Sequence, residues 1–172
     1  MTVKTDVRPI ISDHYATLVN QSRSGGRPTR SWMDWVIQVG LPLSAGGGAA
    51  LLGWRLGSMS DLLDGAAILT AFSFGLAVFA FETRASSKWS RESTATRLLD
   101  EFFSNVLYSV LVGLTLTVLL VIGAAASSTS SLRAGAVGLT LTALTAATAT
   151  HYVLVILMCL KRLRAAYRDL QR

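Results

Sequence analysis

The sequence predicts an all-α, polytopic membrane protein with four transmembrane helices and short amphipathic cytoplasmic segments. Three observations predict it. First, the stretches 35–54, 65–81, 102–132 and 134–160 contain no Asp, Glu, Lys or Arg. A hydrocarbon core of about 30 Å is crossed by about 20 helical residues, and each run approaches or exceeds that length. Second, runs such as VLVGLTLTVLLVIGAAA show no sustained apolar–polar alternation and are too long for strands. Lipid-exposed backbone is satisfied only in helices or closed barrels, and barrel strands alternate. Third, the basic residues collect on alternate sides of the apolar runs. A soluble bundle is excluded because its helices would each keep a polar face.

Residues 1–31 read as a cytoplasmic segment and linker. Ile10, Ile11, His14, Leu18 and Val19 fall near helical spacing, which predicts a short surface helix within 1–21. The stretch SRSGGRPTRS, 22–31, predicts a flexible linker through Gly25, Gly26 and Pro28.

Residues 32–160 form the transmembrane domain. Its first helix is placed at 33–54. Pro42 removes one ladder donor, so a kink or local weakness is expected there. Gly40, Ser44 and Gly48 recur every fourth residue, a spacing that lets helix backbones approach in lipid. The second helix is placed at 62–81. The following loop turns helical near Thr96, where Leu98, Leu99, Phe102 and Phe103 form an apolar side. The third helix then crosses at 104–126. The fourth, 134–160, carries a ridge of Ala134, Gly138, Thr142, Ala146 and Thr150, which predicts packing against another helix or a second copy. Residues 161–172 continue it as a basic amphipathic cytoplasmic tail.

The charges set the topology. Lys4, Arg8, Arg23, Arg27 and Arg30 precede the first helix. Arg84, Lys88, Arg91 and Arg97 follow the second, and Lys161, Arg162, Arg164, Arg168 and Arg172 follow the fourth. Only Arg55 and Arg133 lie in the other two loops. By the positive-inside bias, both termini and the middle loop face the cytoplasm, and the chain is expected in the cell inner (plasma) membrane. The net charge of +6 is then explained by topology and by anionic lipid head groups, without nucleic acid.

Ionisable groups at membrane depth mark working sites or buried partners. His151 is the one such group well inside an apolar run. It is expected as a neutral imidazole bonded to a polar group on a neighbouring helix, with Asn105, Ser109 and Gln38 as candidates. The competing expectation is a pore-lining or pH-sensing group. No acid lies deep enough to couple a cation, and a single cysteine, Cys159, excludes an internal disulfide. No cofactor, metal or catalytic residue is expected. The reading is a small bacterial-type integral membrane protein, non-enzymatic. It would act as a self-associating accessory or sensor subunit through helix packing and its cytoplasmic ends, with a possible cytoplasmic protein partner. The alternatives are an oligomeric pore lined by Thr142, Thr145, Thr148 and His151, and a small transporter built on the interrupted first helix.

Overall fold

The computed structural model describes residues 6–17, 19–20, 29–30, 32–55, 59–86, 94–127 and 135–170. Among them are five helices: α1 (Arg8–Ala16), α2 (Trp32–Leu51), α3 (Met59–Ser86), α4 (Thr94–Ser127) and α5 (Ala136–Leu170). Two two-residue strands, β1 (Val19–Asn20) and β2 (Thr29–Arg30), pair antiparallel with Val19 opposite Arg30. Most of the expected linker lies outside the described residues.

The helices form a row in the order α3, α4, α5, α2, with α1 laid against α4. Every neighbouring pair is antiparallel. Met59 and Thr70 of α3 meet α4 at Gly123 and Gly113, and Arg84 reaches Asp100 at 2.8 Å. Tyr108 and Glu101 of α4 meet His151 and Arg162 of α5. Gln38 and Gly46 of α2 meet His151 and Ala143, and Arg55 bonds the Gly135 carbonyl at 3.2 Å. The end of α1 nearest the linker, the end of α3, the start of α4 and the end of α5 therefore share one end of the row.

Three stretches are long and apolar enough to cross a membrane: Met59–Ser86, Leu98–Ala126 and Ala136–Ala165. The apolar part of α2, Trp35–Leu51, is shorter. Helices α3 and α4 extend beyond the expected 62–81 and 104–126 because polar turns at their ends stay helical. In α5 the apolar stretch and the basic tail are one helix of 35 residues. Helix α2 stops earlier than expected. Gly53 adopts φ +61, which lets its N–H reach Ala50 and lets Trp54 reach back to Ala49. Those two bonds are the left-handed glycine stop that satisfies the last carbonyls of a helix.

The polarity of α3 is inverted relative to a water-soluble core. On α3 the buried face is Met59, Ala66, Thr70, Ser73, Ala77 and Ala80, mostly small or hydroxylated. Its outward face carries Ile68 at 69% exposure, Phe72 at 65%, Phe79 and Phe81. The buried residues step by threes and fours, as in left-handed helix pairs. Lipid tails are as apolar as Leu, so small faces pack inward and large apolar side chains face out. The hydroxyls are absorbed locally. Thr70, Thr115, Thr117, Thr140, Thr142 and Thr150 each donate to the carbonyl four residues back. These hydroxyls are thus satisfied by the backbone of their own helices.

Two glycines set the spacing. At Gly113, a Cβ would collide with the Thr70 hydroxyl and lie 3.1 Å from the Tyr152 ring. Tyr152 uses this gap to reach from α5 past α4, where its hydroxyl pairs with Ser73 of α3 at 3.2 Å. At Gly46, a Cβ would stand 2.8 Å from the Ala143 carbonyl oxygen and 3.0 Å from the Ala147 methyl.

Candidate functional site

The site begins with a missing donor. In a helix the Gln38 carbonyl would accept from the N–H four residues on, and that residue is Pro42, which has none. The freed carbonyl is taken by another helix. His151 of α5 places Nδ1 3.2 Å from the Gln38 oxygen. A carbonyl only accepts, so Nδ1 carries the proton and Nε2 is left as an acceptor. Tyr108 of α4 fills it, with its hydroxyl 2.8 Å from Nε2. The proline and the histidine are thus two halves of one arrangement, in which a neighbouring helix satisfies backbone that proline exposes.

Tyr108 extends the arrangement to α1. Its ring lies flat on the His14 imidazole, with centroids 3.8 Å apart and planes at 13°, while His151 meets it edge-on at 5.7 Å and 87°. Tyr15 packs edge-on to both His14 and Tyr108. Asn105 fixes His14. Its Nδ2 donates to the Glu101 carbonyl at 2.8 Å, which orients the amide and leaves Oδ1 to accept. His14 Nδ1 donates to that oxygen at 2.8 Å and the Thr17 hydroxyl donates at 3.1 Å. Arg162 of α5 closes the end by donating to the Glu101 carboxylate and to the Thr17 carbonyl. Histidine, tyrosine, histidine and a backbone carbonyl therefore link α1, α4, α5 and α2.

Asn105 and His14 are fully buried, both at 0% exposure. Among the described residues, His14 Nε2, the Gln38 side-chain Nε2 and Thr145 Oγ1 are buried without a hydrogen-bond partner. Burial pushes the His14 imidazole down to about 4, reinforced by His151 and Arg162 and opposed by the bond to Asn105. His14 is therefore neutral when α1 is docked.

A pH dependence follows. Free α1 would take up a proton below the ordinary imidazole value of 6.5, whereas docked α1 resists until about 4. The undocked state binds more protons between those limits, so docking strengthens as pH rises. Docking is expected to be at its strongest above pH 6.5 and to weaken by up to about tenfold per unit on acidification toward 4. Amide exchange of α1 against pH checks this. His14→Gln should flatten the profile.

The expected polar residues are placed as follows. His151 meets Gln38 through the backbone carbonyl rather than the side-chain amide. Asn105 serves His14 instead of His151. Ser109 is buried and bonds the Val106 carbonyl of its own helix at 2.7 Å. Of the expected packing residues, Gly40 and Ser44 face outward. Within the chain, α2 buries Gln38, Pro42, Gly46 and Ala49 against α5 instead. A Cβ at Gly48 would meet open space. On α5, Thr142 is buried, Gly138, Ala146 and Thr150 are half-buried, and Ala134 lies outside the described residues. Thr142 and Thr145 are buried within the chain, 1% and 2% exposed, whereas Thr148 is half-buried. Sequence reasoning missed Tyr108, and it saw His14 only as part of a surface stripe. The spacing of Gln38 and Pro42, four residues apart, was the available signal for the freed carbonyl. Compared with protein-family models, curated proteins and solved structures, nothing matches this chain.

Proposed function

We propose that this chain is a four-crossing protein of the cell inner membrane, non-enzymatic. In this reading it works as a self-associating accessory or sensor subunit, with both termini in the cytoplasm. The observation that carries the membrane reading is the inverted polarity of α3, with Ala, Ser and Thr inside and Phe and Ile outside. Water would reject that surface, whereas lipid accepts it. The fourth crossing is α2. Its apolar stretch of 17 residues spans about 25 Å, near the lower limit for a membrane helix. Support comes from its course along α5, from His151 past Ala143 to the Arg55–Gly135 contact. The basic residues at the shared end of the row favour the cytoplasm for that end, next to anionic head groups.

The sensor role rests on α1. It is a nine-residue helix on the cytoplasmic side, and its buried histidine is wired into the membrane helices. A segment outside the bilayer is thereby tied to the crossings, and a cytoplasmic partner would act through it. Single-cysteine labelling in sealed cells, in a Cys159→Ser background, tests the topology. Cysteines at Arg8 and Arg168 should react only after the membrane is opened, and one at Trp54 from outside. Reaction of Arg168→Cys in intact cells would sink the reading.

Self-association is proposed through the outward face of α2. Gly40, Gly47 and Gly48 are not required by packing within the chain, since a Cβ there meets at most Val36 at 3.8 Å. Glycine inside a helix costs roughly 1 kcal/mol relative to Ala, so its use on this face suits a partner helix. Gly40→Leu with Gly48→Leu is expected to convert oligomers to monomers without lowering the thermal stability of the monomer. Native mass spectrometry in detergent reads both species.

A further inference from the structure

The junction of α1, α4, α5 and α2 contains more than a set of satisfied bonds. Each contact depends on the geometry of the next. His14 lies flat on the Tyr108 ring and so fixes where that ring stands. The ring position sets the Tyr108 hydroxyl against His151 Nε2. The same imidazole, through Nδ1, holds the carbonyl that Pro42 leaves free in α2. An imidazole is rigid, so turning it to follow one partner moves it away from the other.

We propose that Tyr108 and His151 form a mechanical relay, so that the docking of α1 on α4 and the seating of the N-terminal half of α2 on α5 stabilise one another. The inference rests on the sensor reading above and gives it a route. Two of the contacts that hold helix α2 to α5 are Gly46 against Ala143 and Ala147, and the Gln38 carbonyl against His151. The second lies on the N-terminal side of Pro42, where the missing backbone bond makes the helix easiest to bend. When α1 leaves, Tyr108 loses its stacking partner and the hold on His151 slackens. The half of α2 before Pro42 is then freed, and that half carries Gly40, part of the proposed association face. Arg162 adds to the α1 end of the relay alone, through Glu101 and the Thr17 carbonyl. By linkage the coupling is reciprocal, so moving α2 must loosen α1 by the same factor.

The test measures that reverse effect in the full-length chain, at a detergent concentration where it is monomeric, so that self-association does not enter. In a Cys159→Ser background, Ile11→Cys places a thiol on the partly buried side of α1. Its maleimide-labelling rate reports undocking. Gly46→Ala, which pushes α2 off α5 without touching α1, should raise the rate about fivefold, the usual size of coupling between sites. In a His151→Leu background the same Gly46→Ala should add nothing, because the relay is already cut. Arg162→Gln should raise the rate in both backgrounds, which shows that α1 is still docked and still being measured. His151→Gln, which keeps a donor and an acceptor, stands in if the leucine variant does not fold. An unchanged rate in Gly46→Ala, or an equal rise with and without His151, would overturn the relay. Either result leaves the topology and oligomer measurements to stand or fall separately.

Discussion

Gly113→Leu is expected to disassemble the α3–α4–α5 core. The α-carbon of Gly113 lies where three helices meet, and even a methyl group would strike the Thr70 side chain and crowd the Tyr152 ring. Thr70 is itself fixed by a 2.7 Å bond to the Ala66 carbonyl, and Tyr152 by its pairing with Ser73. Neither neighbour is a free chain end that can swing aside. Overpacking of a tight core costs typically about 1–3 kcal/mol, and a leucine wedged between two fixed groups belongs at the top of that range. The expected readout is loss of the folded species on gel filtration in detergent, or a lower unfolding midpoint in mixed micelles. Gly113→Ala should be milder, and Thr70→Ala should restore part of its loss by clearing the nearest atoms. No rescue by Thr70→Ala would mean that the clash is not the cause.

Gly46→Leu is expected to detach α2 while sparing the other helices. Its Cβ would face the backbone oxygen of Ala143 at 2.8 Å, and backbone in a helix cannot rotate out of the way. The separation forced on α2 and α5 would also stretch the His151 bond to Gln38 beyond hydrogen-bonding range. Among the described residues α2 packs chiefly on α5, so it depends on this contact. The loss is about 2–3 kcal/mol of helix association, read as failure of engineered cysteines on α2 and α5 to cross-link while an α4–α5 pair still does. Gly47→Leu, one residue away, has open space in the chain and should cross-link normally. Equal loss at both positions would point to helix propensity rather than contact.

The elements were legible where composition alone decides them. The charge-free runs fall mainly on helices α2 to α5, three of them long and apolar enough to cross a membrane, and Ile10, Ile11 and His14 of the expected stripe lie in α1, while Val19 lies in β1 and Leu18 outside the described residues. Ends were less legible, because helix stops depend on local bonds such as those made by Gly53, and polar turns at helix ends stay helical when helices extend past the apolar stretch. Packing faces were the least legible. Gly40, Ser44 and Gly48 satisfy a small-residue pattern as well as Gln38, Pro42, Gly46 and Ala49 satisfy burial, and only the neighbouring α5 decides between them. His151 was legible as a polar group bonded across helices, but its partners were not. A backbone carbonyl has no letter in a sequence, and Tyr108 reads as one more aromatic in a long apolar run until α1 is laid across it.

The row order also bears on biogenesis. Among the four helices of the row, α2 comes first along the chain, and its main neighbour, α5, comes fourth. Helix α3 likewise waits for α4. Helices α2 and α3 therefore wait for their neighbours until the α4–α5 hairpin is made and gathers one on each flank. A chain cut short before α5 would strand α2, exposing the face of Gln38, Pro42, Gly46 and Ala49 and an uncapped carbonyl to the machinery that clears orphaned membrane segments.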